Sequence, residues 1–96
     1  MAWDDQTIQQ VWLRGKEVSG QDATQWRKDD CGAWIGRQYY GNRSSQYGWE
    51  IDHIKPGGPD ILPNLRLLQW ENNVDKSDSR LKCNVTSSGN QNVKTR

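Results

Sequence analysis

The stretch WEIDHIKPGGPDILPNLRLLQWENNVDKSD (Trp49–Asp78) decides how this chain is read. It holds the protein's single histidine, His53, with Asp52 directly before it and Glu50 two positions earlier. Imidazole is the one side chain whose ordinary pKa lies near neutrality, so any histidine acid–base chemistry is confined to this stretch. Trp49 to Ile54 is rich in aromatic and β-branched residues and predicts a strand. Lys55-Pro56-Gly57-Gly58-Pro59 must end it, because proline cannot donate to a ladder and paired glycines permit positive φ. Leu62, Leu65, Leu67 and Leu68 then give apolar surface, with a short strand expected from about Arg66 to Gln69. Glu71 to Asp78 reads as a short helix too poor in apolar residues to stand alone, so packing by Trp70 and Val74 is expected to hold it.

Outward from this stretch, Ile8, Val11 and Trp12 recur at helical spacing between Thr7 and Leu13, with Gly15 as a stop. Lys16 to Asp22 reads as a connector, and Asp22 as the cap of a turn leading to Trp26. CGAWIGRQYY (Cys31–Tyr40) predicts a strand joined to the one at Trp49 through the turn formers Gly41 to Gln46, which together make a β-hairpin. Tyr39 and Tyr40 could stack on a nucleic acid, but with so few aliphatic residues available they are expected in the core. Arg37 and Arg43 are the better phosphate candidates, since a guanidinium is a fixed bidentate donor.

Ninety-six residues suit one domain with a small core, and six tryptophans with no phenylalanine make that core aromatic. With 32% hydrophobic residues, the chain has no run approaching a membrane span. Met1 to Asp5 lacks an apolar signal-peptide core, which makes the cytoplasm the default location. The net charge is only +1, but residues 79–96 carry Arg80, Lys82, Lys94 and Arg96 with no acid. This stretch, without periodicity beyond Leu81 and Val85, is expected as a basic, flexible tail beyond a domain of residues 1–78. Cys31 and Cys83 lie far apart and, with one histidine, supply too few ligands for a zinc staple. A pair of reduced thiols is the expected state, and a disulfide the other possibility.

Phosphodiester hydrolysis needs a base for water, a cation at the phosphoryl oxygens, and firm placement of both. His53 can be that base. Asp52 and the side-chain oxygen of Asn73 offer hard ligands, and an all-oxygen set favours Mg²⁺ or Mn²⁺ over zinc. Strand alternation would put Asp52 and His53 on opposite faces unless the chain twists or ends there; if it does neither, Glu50 shares the face of Asp52 and becomes an additional ligand or a support behind one. Asn64 opens the segment after the glycine turn, where its amide can tie the loop and hold the His53 strand. Lys55 and Lys76 are candidates for flanking phosphates.

Asp52-His53-Ile54, the Gly57-Gly58 turn, Asn64-Leu65 and Asn73-x-x-Lys76-Ser77-Asp78 together resemble the HNH endonuclease family, the ββα-metal fold, in a variant with asparagine at the third motif position. The likeness covers about thirty residues. It implies a small α+β domain with a ββα-metal core and a metal-dependent endonuclease acting on double-stranded DNA through one metal ion. It further implies that His53 is the general base, that Asp52 and Asn73 bind metal, and that Asn64 orders the loop. The loop between His53 and Asn64 is a few residues shorter than is usual in the family. A non-catalytic nucleic-acid-binding module on the same scaffold is the alternative. Cutting both strands would call for a homodimer or two binding events, and a secreted toxin domain with an immunity partner, or a phage nuclease, is a further setting.

Overall fold

The computed structural model describes residues 3–74 and 80–95. It is a small α+β domain whose elements run in the order α1 (Asp5–Trp12), β1 (Trp26–Lys28), β2 (Trp34–Gly36), β3 (Trp49–His53), β4 (Leu65–Gln69), α2 (Trp70–Val74), β5 (Val85–Ser88) and β6 (Gln91–Lys94). Each consecutive pair of strands forms its own antiparallel two-stranded sheet: β1 with β2, β3 with β4, and β5 with β6.

Asp4 starts α1 by accepting a hydrogen bond from the Thr7 amide, and the side chain of Thr7, together with that amide, holds the Asp4 carboxyl below the ordinary range. The helix buries Ile8, Val11 and Trp12 against Ile35, Trp49, Ile51, Leu65 and Leu67. Trp12 and Trp49 are fully buried, and each indole N–H is satisfied by a carbonyl, of Ala23 and Gly36 respectively. Those two bonds fix the loop before β1 and the end of β2 to the core.

Four expectations change. Cys31 to Tyr40 does supply β2, but β2 pairs with β1 and not with β3. The reason is local: after Gly36 the chain turns through a 3-10 segment at Arg37–Tyr39, which leaves only an isolated bridge between Tyr40 and Trp49. Residues 80–95 are not a loose tail, because they contain the β5–β6 hairpin. Cys31 and Cys83 form a disulfide that ties the segment before β5 to the turn before β2. Finally, α2 is held less by Val74, which is exposed, than by Asn72, which has no exposed surface. The Asn72 amide donates to Asp29 and to the Val85 carbonyl, and its oxygen accepts from the Val85 amide.

Asp29 is the centre of this junction. Its carboxylate accepts from the amides of Cys31, Ala33 and Gln69 and from the Asn72 side chain, joining β2, β4 and α2 at one residue. Burial pushes its carboxyl above the ordinary value, and these four donors pull against that shift.

Candidate functional site

The β3–β4 ladder runs in register from Trp49 opposite Gln69 to His53 opposite Leu65, so β3 stays regular through its last residue. Alternation therefore separates the two central residues. Trp49 and Ile51 enter the core on the α1 side, and His53 shares that side, with its ring 5.7 Å from that of Trp3. Glu50 and Asp52 leave from the other side. That side faces α2, because the Asn73 amide donates to Glu50 at 2.9 Å.

His53 sits at the end of the strand with about a third of its side chain exposed, and its Nε2 is 2.5 Å from the Asp60 carboxylate. Asp60 comes from the loop that follows the glycine turn, and the seven-residue return is shaped by its neighbours. Gly57 adopts φ +75°, open only to glycine at low cost. A Cβ on Gly58 would lie 2.8 Å from the Asn64 amide nitrogen and 2.9 Å from the Lys55 carbonyl oxygen, so only glycine lets the loop close. Asn64 then fastens it: its side-chain oxygen accepts from the Lys55 amide, and its Nδ2 donates to the Pro59 carbonyl. Its backbone carbonyl accepts from the Ile54 amide. Lys55 enters these bonds through its backbone, and its residue is exposed.

A carboxylate on one imidazole nitrogen fixes the tautomer and ring orientation and directs proton acceptance to the other. Asp60 contacts His53 through Nε2, and where Nε2–H donates to it Nδ1 is the remaining acceptor nitrogen. The sequence offered one signal for Asp60, an acid placed just past a Gly-Gly-Pro turn.

On the α2 side the acids are matched by arginines. Arg66, the residue directly opposite Asp52, donates to its carboxylate at 3.0 Å, and Asp52 is 8% exposed. Arg66 Nη2 is buried without a hydrogen-bond partner among the described residues. Arg43 grips Glu50 with two hydrogen bonds, of 2.6 and 2.9 Å, and lies over the Trp70 ring. Burial pushes the Glu50 carboxyl up, but the bonds from Arg43 and Asn73 outweigh it and leave the group below its ordinary value. Arg37, the other phosphate candidate, donates to Gln9. Lys76 lies outside the described residues.

The side-chain oxygens on this side belong to Asp52, Glu50 and Asn73, the hard type of donor a magnesium-like ion prefers. The set is sparse, since no three His, Cys, Asp or Glu residues gather into a metal-holding group among the described residues. Both carboxylates also face a guanidinium. The fit is to a weakly held ion whose shell is completed by water and a phosphate. Asn72, adjacent in sequence to Asn73, is committed to the buried junction and takes no part. Among the described residues no helix is long and apolar enough to cross a membrane. No family model, curated protein or solved structure matches the chain.

Proposed function

We propose that the chain is a metal-dependent endonuclease of the HNH type, with β3, β4 and α2 as its ββα core and nucleic acid, most simply double-stranded DNA, as its substrate. The observation that carries this reading is the partly exposed histidine held through Nε2 by Asp60 at the end of β3. A histidine that served only packing would need neither the carboxylate nor the glycine-dependent loop that presents it.

In this reading His53 takes a proton from water at Nδ1, and Asp60 steadies the imidazolium that results. Asn64 keeps the loop from moving Asp60 away. Asp52 and Asn73 would hold Mg²⁺ or Mn²⁺, which when bound supplies neutralisation of charge on the phosphoryl oxygens. Because His53 and Asp52 leave opposite faces of adjacent residues, the scissile phosphate must lie across the end of the strand to meet both.

The arginine partners of Asp52 and Glu50 favour the second reading, a nucleic-acid-binding module without cleavage, because they offset the charge a cation would use. Supercoiled plasmid incubated with the purified protein and Mg²⁺, Mn²⁺ or EDTA separates the two. The nuclease reading expects nicked or linear product with either metal and none with EDTA. Calorimetry without DNA should show at best a feeble metal site, and tight stoichiometric zinc binding would contradict the assignment. The Cys31–Cys83 disulfide supports an oxidising compartment, hence an exported setting over the cytoplasmic one.

A further inference from the structure

Hydrolysis at β3 leaves one large feature unused. A cavity of about 380 Å³, within the roughly 300–1,000 Å³ usual for small-ligand sites, is lined by Gln21, Trp26, Trp34, Tyr39, Tyr47 and Asn90. Its rings are not stacked flat on one another. Trp26 meets Tyr47 edge-on at 5.0 Å and 80°, and Tyr39 stands tilted to both at 6.2 and 6.1 Å. Trp26, Tyr39 and Tyr47 are each only half-buried. In a chain so short of aliphatic residues, three large rings left part-way in water forgo apolar burial that the core could use.

The walls are fastened in place. Trp34 donates its indole N–H to the Gly89 carbonyl, and Tyr47 its hydroxyl to the Asn90 carbonyl, so the tip of the β5–β6 hairpin closes one side. The Asn92 side chain bonds both the amide and the carbonyl of Trp34. The disulfide at Cys83 anchors the start of the same hairpin. A site held by this many bonds is formed before any ligand arrives.

We infer that this cavity binds an unstacked base of a single nucleic-acid strand, with Lys28 meeting the adjoining phosphate. Aromatic faces accept any base, and the amides of Gln21 and Asn90 offer donors and acceptors to its edge. The charge selects this occupant over others. The Lys28 ammonium lies 4.6 Å from the Trp34 ring centre, and Lys16, its antiparallel partner, stands on the same side. Two lysines repel the quaternary ammonium groups that aromatic cages otherwise take. Of the acids nearby in sequence, Asp22 is engaged by Thr24 and Asp29 is buried in the junction, while Glu17 and Asp30 are exposed. A purely apolar ligand would leave the two amides unpaired.

The choice of ligand rests on the nucleic-acid reading, but not on cleavage, so the test removes metal. Full-length oxidised protein in EDTA is titrated with a short oligothymidylate while tryptophan fluorescence is followed. Saturable quenching that weakens with salt is expected, and Trp26→Ala should weaken binding by roughly 5- to 150-fold, the usual range for losing one base-stacking ring. Lys28→Gln, an exterior change that leaves the core intact, should weaken it and lower the salt slope by about one. Because no metal is present, the binding result stands whether or not the protein cleaves. Absence of quenching, unchanged affinity in both Trp26→Ala and Lys28→Gln, or saturable binding of choline in place of the oligonucleotide would overturn the inference.

Discussion

Asp29 and Asp60 are carboxylates in opposite circumstances. Asp29 is 1% exposed and accepts from three backbone amides and one side-chain amide, while the Asp60 side chain is 65% exposed and faces the imidazole of His53. The first fills its acceptor capacity with donors that cannot change their charge. The second meets a group that can. A buried carboxylate saturated by amides specifies how elements join, whereas one shared with a half-exposed histidine at a loop can follow a proton. That contrast, and not mere proximity of acids, separates the junction of this molecule from its candidate site.

The comparison breaks most visibly at Asp29. Asp29→Ala would strand four donors, each costing about 1–3 kcal/mol when buried, so a loss of at least about 3 kcal/mol is expected in urea unfolding. A loss near zero would mean that water replaces the carboxylate and that the junction does not depend on it. Removing the disulfide acts on the same region from outside. Its partners are 52 residues apart, for which loop-closure entropy suggests about 4 kcal/mol, and reduction or Cys83→Ser should lower stability by about 2–4 kcal/mol. The β5–β6 hairpin should lose amide-exchange protection first, since it is the part tethered by Cys83.

A smaller effect sharpens the site side of the comparison. Glu50 is held below its ordinary value of 4.5. It therefore contributes stability that is fully present above its unfolded pKa and is lost as pH falls through the lower folded one. Asp29, raised by burial, has the reverse sign: its contribution is present below its unfolded pKa and fades as pH rises through the folded one. Glu50→Gln should flatten the acid limb of a melting-temperature profile below about pH 4.5, and an unaltered acid limb would remove the Arg43–Glu50–Asn73 cluster from the stability account.

Local pattern was enough for α1, whose three buried residues fall at helical spacing, and for β4, whose leucines follow a proline-glycine turn. It also flagged the strand alternation that sets Asp52 against His53. What escaped depends on distant partners. β1 is three residues, Trp26-Arg27-Lys28, and too charged to read as a strand, so local pattern pairs β2 with β3 where the structure pairs it with β1. Asn72 and Asn73 look alike in sequence, yet one is buried against Asp29 and the other turns to Glu50. Cys31 and Cys83 have no short spacing to betray a bond. The aromatic cavity gathers residues from Gln21 to Asn90, the last of them in a segment whose polar composition suggested a loose tail.

The central claim is that the His53–Asp60 pair does acid–base chemistry on a phosphodiester. Plasmid cleavage by His53→Ala with Mg²⁺, beside its melting temperature, tests it most directly. General-base catalysis is worth about 10² to 10⁴ in rate, while loss of a half-exposed histidine away from the core should change stability by less than about 1 kcal/mol. The variant should therefore lose most cleavage, keep its fold and its affinity for DNA, and recover part of its rate at higher pH, where hydroxide replaces the base. Cleavage by His53→Ala at the wild-type rate would make the pair a structural contact and leave the molecule a binding fold.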